Sequence, residues 1–265
     1  MWWEDKETST EEQALEIHRL ALLGRETEIA AEFASVLGNS WKNQSRFREA
    51  VELCKSTLDI TEDYRVLHSL ARSEAELGDV KLAEQHYQQA LELCPQEDET
   101  EKASIIHHLA IIYAQQGEVE TAIALYQQSL ELKEKIGDVQ GKAASLHQLA
   151  IIYAQQGEVE NAIALYQQSF DLYEKIGDIQ GKAASLTMLG QLLADEKQDF
   201  KTALEYLQES FEIFEHLKSP DAQTVKEIID KIRTAQINLI NKDSSEIISP
   251  YRELIENIRE LGIGY

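Results

Sequence analysis

The amino-acid sequence predicts an all-α protein, a solenoid of stacked antiparallel helix hairpins, and three observations carry that prediction. The chain repeats itself with a period of about 40 residues, a spacing at which one helix hairpin makes one repeat. LAIIYAQQGEVE at 109–120 returns unchanged at 149–160. Within a repeat the apolar residues fall twice on a helical period: Ile106, Leu109, Ala110 and Tyr113 on one face, then Ala122, Ile123, Tyr126 and Leu130 on the next. Gly117-Glu118 between the stripes marks a tight turn. Ala50, Ala83, Ala122, Ala162 and Ala203 recur at one equivalent place, as two closely packed helices require. A single hairpin of this kind cannot bury its apolar faces alone, so neighbours must stack.

Taken in order, residues 1–28 read as an N-terminal cap. A capping box of Ser9 with Glu12 opens a helix through Gly24 that carries Ala14, Leu15, Ile17, His18, Ala21 and Leu22. Trp2 and Trp3 precede any evident helix, and the pattern leaves open whether they pack on the first turn, are disordered or mediate a contact. The solenoid is expected over 29–218. Its first unit, 29–60, is a divergent copy around Leu37-Gly38, Trp41 and Ala50; the next is 64–95. Two near-identical units follow at 103–138 and 143–178, each ending in Ile-Gly-Asp, a glycine C-cap followed by an aspartate that starts the next helix. The unit at 183–216 is worn, with Asp195-Glu196-Lys197 in place of the Gln-Gln-Gly turn and one residue inserted before Phe200. Residues 221–265 read as a C-terminal capping hairpin. Its first helix carries Val225, Ile228, Ile229, Ile232 and Ala235; the polar NKDSSE forms a link; a second helix from Ser249-Pro250 carries Tyr251, Leu254, Ile255, Ile258 and Leu261. The same amphipathic pattern suits a detachable helix that occupies a groove.

With 265 residues, 43% of them hydrophobic, the chain is long enough for a substantial core. Against 25 Lys+Arg stand 48 Asp+Glu, a formal net charge of -23. A field of that sign repels phosphate backbones and anionic lipid, so neither nucleic acid nor a membrane is expected as a partner, and basic protein surfaces are favoured. No apolar stretch is long enough to span a bilayer and MWWEDKETST lacks the features of a leader, so a cytoplasmic protein is expected. Cys54 and Cys94 have no disulfide or CxxC spacing and read as core or near-core thiols.

The order Leu109-Ala110, Tyr113, Gly117, Ala122, Tyr126, Ser129 resembles the tetratricopeptide repeat, and Leu70-Ala71, Gly78, Ala83, Tyr87, Ala90 and Pro95 match it best. Glu74 departs from the pattern, standing where an aromatic is usual. The period with its Ile-Gly-Asp link is similar to that of kinesin light chains, LGN/Pins adaptors and bacterial signalling proteins with such repeats. The resemblance implies a right-handed superhelix whose members mostly bind peptides or partner proteins in a concave groove and rarely catalyse reactions.

The first helix of each unit lines that groove, which gives a candidate peptide-binding set: His68, Arg72 and Glu76; His107, Ile111 and Gln115; His147, Ile151 and Gln155; Thr187 and Gln191. Spacing by four keeps each set on one helix face. The in-register histidines invite a metal reading, but equivalent residues of stacked helices stand roughly 10 Å apart, whereas zinc ligands converge to about 2 Å from the ion. The neighbours His107 and His108 point in different directions. The chaperone-adaptor members grip a terminal carboxylate with lysine, asparagine and arginine; Asn39 and Arg72 are the only echoes here. Tyr113, Tyr126, Tyr153 and Tyr166 fall on helix-packing positions, and Glu118 and Glu158 sit at solvated helix starts. No nucleophile–base set, phosphate loop or metal-protease motif can be assembled, so no enzyme, cofactor or metal is expected.

The expected function is a protein–protein interaction module, an adaptor or regulatory subunit that takes a peptide or helix with basic and apolar residues. The alternatives are a self-assembling structural scaffold, for which self-association is the mark, and a metal- or small-ligand-dependent sensor.

Overall fold

The computed structural model describes residues 10–42 and 44–248, and over that range it contains twelve α-helices and no strand. Trp2, Trp3, Ser9 and the expected second C-terminal helix from Ser249 lie outside the described residues. The chain forms two compact units, one up to Ile152 and one from Tyr153.

In the first unit α1 (Glu11–Gly24) packs on α2 (Thr27–Lys42), which pairs with α3 (Phe47–Leu58). Two further hairpins follow: α4 (Tyr64–Glu76) with α5 (Val80–Leu93), and α6 (Glu99–Gln116) with α7 (Val119–Ile136); α8 (Val139–Gln155) begins here. The core explains why a hairpin needs its neighbour. Ala50 and Cys54 of α3 share one cluster with Val66 and Leu70 of α4, and Tyr87 and Ala90 of α5 share the next with Ile105 and Leu109 of α6. The second unit holds α9 (Val159–Ile176), α10 (Ile179–Lys197), α11 (Phe200–His216) and α12 (Asp221–Ile248). Leu207 and Phe214 of α11 share one buried cluster with Val225, Ile229 and Ile232 of α12.

The recurring alanines, Ala50, Ala83, Ala122, Ala162 and Ala203, are each 0% exposed, which places them at the closest helix approaches. Gly117 and Gly157 take left-handed backbone at φ 82° and 77°, where a side chain is strained. The worn turn solves the same problem without glycine: Gln198 adopts φ 53°. A buried Glu74 fills the place of the missing aromatic. Its Oε2 lies 2.6 Å from His86 Nδ1 and its Oε1 3.7 Å from Lys55 Nζ, so the departure from the repeat pattern is a buried carboxyl group held by a histidine with a lysine beside it.

Two expectations differ from the structure. The capping box seen at the start of α1 is made by Thr10 and Gln13, which exchange bonds at 3.3 and 2.9 Å; Ser9 of the expected box lies outside the described residues. NKDSSE is not a link; α12 continues through it to Ile248, because nothing in that segment breaks a helix. Tyr126 and Tyr166 are buried as helix-packing residues; Tyr113 is half-buried and packs against the cluster of Tyr87 and Ile112 while its hydroxyl accepts a 2.9 Å bond from Gln88, and Tyr153 is half-buried as well. Cys54 and Cys94 are buried, and desolvation pushes both thiols up, Cys94 to about 11, which keeps them inert.

Gly181 has a packing role. A Cβ there would come within 2.5 Å of Tyr173 Cε1, while its amide donates to Asp178 Oδ1 at 2.9 Å in the cap of α10. Gly181→Ala should therefore cost about 1–3 kcal/mol by overpacking, read as a lower urea midpoint with unchanged slope.

Candidate peptide-binding groove

Alpha-helical spacing puts Arg72 and Glu76 on one face of α4 and His107, Ile111 and Gln115 on one face of α6. All five line a single cavity of about 290 Å³ in the first unit. Lys42 at the end of α2, Ala75 of α4, Tyr87 of α5, and His108 and Ile112 of α6 complete its wall, and none of these five was assigned to the groove from sequence. Lys42 lies beyond the first-helix register used to count groove positions. Tyr87 belongs to a second helix and reaches the cavity between α4 and α6.

His68 is placed differently from its sequence neighbours in the set. It is 5% exposed; its Nδ1 lies 2.6 Å from Glu101 Oε1 and its Nε2 3.2 Å from His108 Nδ1. His108 Nδ1 also lies 2.8 Å from the Ser104 carbonyl, which only accepts, so the network assigns the proton to His108 Nδ1. That proton is shared with His68 Nε2, and His68 Nδ1–H donates to Glu101. His107 and His108 take different directions, as neighbours on a helix do: His108 stacks on Tyr87 of α5 with ring centroids 5.8 Å apart, whereas His107 lies edge-on to Tyr126 of α7 at 5.6 Å; their own rings stand 5.3 Å apart edge-to-face, and both border the cavity. Beneath them a second network runs. Ser145 Oγ lies 2.8 Å from His107 Nδ1 and accepts a 2.8 Å bond from Lys133 Nζ, which also donates to the Gly141 carbonyl at 3.2 Å.

Burial sets the electrostatics of this layer. It pulls His107 down to about 3, with Lys133, Lys42 and His68 adding to the effect, and holds His108 well below the usual imidazole range. Both rings are neutral at pH 7. Lys42 is pushed down by burial and by Arg72 beside it, and Arg72 is pushed down chiefly by burial. Arg72 Nη2 donates to Asn39 Oδ1. Further along α8, His147 and Ile151 are half-buried, and burial draws His147 down to about 4. In the second unit Gln155 is exposed, Gln191 is half-buried, and Thr187 uses its hydroxyl internally, donating to Ala183 O at 3.0 Å and lying 2.7 Å from Ser210 Oγ. Among the described residues no group of three or more His, Cys, Asp or Glu could hold a metal ion, and no helix is long and apolar enough to cross a membrane.

The tetratricopeptide repeat profile matches residues 63–135 and 141–216, more than half of the sequence. The chain belongs to the tetratricopeptide repeat family. Solved structures agree on the fold. BtubC of P. vanneervenii is 19% identical with a TM-score of 0.58, covering 89% of this chain and 93% of that one. TPR-like repeats of a Podosopora anserina protein titled as a kinesin light chain are 23% identical with a TM-score of 0.55, covering 70% and 94%. A signal-transduction ATPase of Pyrococcus horikoshii with a tetratricopeptide repeat sensor is 16% identical with a TM-score of 0.64; the match covers 94% of this chain and 44% of that one. No match was found among curated proteins. As a tetratricopeptide repeat protein the chain is a protein–protein interaction module of the adaptor and scaffold kind rather than an enzyme.

Proposed function

We propose that this tetratricopeptide repeat protein is a cytoplasmic adaptor or regulatory subunit that holds a segment of a partner protein across α4, α6 and α8, with an apolar anchor against Ile111 and Ile151. The observation that carries the reading is the cavity between α4 and α6, formed at Arg72, Glu76, His107, Ile111 and Gln115. Its combination of a partly exposed isoleucine with amides and neutral imidazoles suits an apolar side chain flanked by backbone-seeking contacts. The net charge of -23 favours basic residues on the partner outside the cavity. Thr187 and Gln191 belong to the same reading as the groove positions of the second unit.

The test is affinity capture with the intact protein and with the Ile111→Arg/Ile151→Arg variant, followed by mass spectrometry, with helicity checked by circular dichroism. Partners should be lost with the variant while helicity is unchanged. An unchanged partner set would move the function away from the groove. Unfolding of the variant would instead make these isoleucines core residues and the groove register wrong.

A further inference from the structure

One side of α2 is open where every later hairpin is covered. In the stack, the first helix of a hairpin turns a side toward the first helix of the hairpin before it. Ser69 of α4 leaves no room for a Cβ on Gly38 of α2, His108 of α6 meets His68 of α4 at 3.2 Å, and Ser145 of α8 meets His107 of α6 at 2.8 Å. The register that aligns His68, His107, His147 and Thr187 reaches α2 at Ser35. One residue further on it aligns Val36 with Ser69, His108, Gln148 and Met188. Ser69 is buried and the three later residues are half-buried, whereas Val36 is 58% exposed. Two residues before the same register position, Val66, Ile105, Ser145 and Ser185 are each 0% exposed; their counterpart on α2, Phe33, is only half-buried.

Among the described residues α1 is the one helix before α2, and it sits beside α3, with His18 Nε2 2.8 Å from Thr57 Oγ1. It leaves that side of α2 uncovered. Helical spacing places Ile29, Phe33 and Val36 on one face, with Ile29 39% exposed. On α1, Leu20 is 52% exposed and lies on the flank turned away from Leu15 and Leu22, which border Leu53 of α3. The terminal surface of a stack is normally polar, because a contiguous apolar one is a liability in water. The last described helix keeps to that rule: α12 gives Val225, Ile229 and Ile232 to its cluster with α11 and exposes Lys226, Asp230 and Arg233. The open face of α2 does not.

We propose that this face is a dimer interface, covered by the same face of a second copy, α2 against α2 about a two-fold axis. The contact continues the interface that stacks first helix on first helix inside the chain. Isoleucine, phenylalanine and valine pair with their own kind without burying a charge, and two-fold closure uses up the face on both copies. Head-to-tail stacking would set it against the largely polar surface of α12 and bury less apolar area. The net charge of -23 on each copy opposes association, so the dimer should tighten as salt screens that repulsion. A basic partner held by charge would loosen instead.

The test is sedimentation velocity of the full chain over a concentration series at low and at high salt. The sedimentation coefficient should rise from the monomer value to that of a dimer and stop there, with tighter association at high salt. Leu20→Glu/Val36→Glu alters two side chains that are exposed in the monomer, so helicity and the urea midpoint should be unchanged while the dimer dissociation constant rises at least about tenfold. If that variant loses its fold, Val36→Ser, the residue type of the next hairpin, should still raise the constant about threefold. Ile111→Arg/Ile151→Arg should leave the dimer intact. A monomer at every concentration, an open-ended series of oligomers, a dimer indifferent to the folded α1–α2 variants, or one lost with the groove variant overturns the proposal. A monomeric parent that dimerises only as Trp2→Ala/Trp3→Ala overturns it as well, by giving the face to the chain's own first residues.

Discussion

His86→Ala should destabilise the protein by about 3 kcal/mol, read from urea unfolding. Glu74 is 1% exposed and His86 Nδ1, at 2.6 Å, is its one close partner; Lys55, at 3.7 Å, is mostly in solvent. Removing the imidazole leaves a carboxylate in the seam between α4 and α5 with only Lys55, at 3.7 Å, to answer it. The double variant Glu74→Leu/His86→Leu removes both polar groups together and should recover most of the loss, within about 1 kcal/mol of the parent. A double variant as unstable as His86→Ala would mean that the pair contributes through packing shape rather than through charge compensation.

Lys133→Met should move stability the other way, raising it by about 1–2 kcal/mol at pH 7. Lys133 is 4% exposed; its nitrogen donates to the Gly141 carbonyl and Ser145 Oγ, and among the described residues no carboxylate is bonded to it. Burial therefore pulls its pKa from 10.5 to about 8, with Asp138 opposing the shift only in part. Between these two values the unfolded chain binds the proton and the native chain does not, so the parent gains stability as pH rises from about 8 to 10.5. Below the lower value both states are protonated and the full penalty is present. The variant should lack that rise. The lattice accepts an uncharged residue here, since Tyr173 occupies the equivalent place against Gly181 as Lys133 does against Gly141. A less stable variant would show that the two hydrogen bonds outweigh the desolvation.

The hairpins themselves were legible in the letters, because they depend on local rules. Apolar stripes of period 3.6, glycines at left-handed turns and alanines at helix crossings each specify backbone geometry within a few residues, and the alanines proved fully buried. The four-residue spacing put Arg72 with Glu76, and His107 with Ile111 and Gln115, each on one helix face, and all five line one cavity. What the sequence alone could not decide were the places where side chains from different hairpins meet. Register arithmetic keeps equivalent positions about one helix diameter apart, yet His68 and His108 are not equivalent, and their nitrogens approach to 3.2 Å across the seam. Lys42 and Tyr87 reach the same cavity from α2 and from a second helix of a hairpin, directions that no one-dimensional spacing encodes. Glu74 was visible as a missing aromatic, but only packing reveals that His86 answers it. Sequence by itself determined the repeating frame, since that rests on local periodicity; tertiary structure decided the charges and tautomers inside the seams, since those depend on which long side chains are desolvated together.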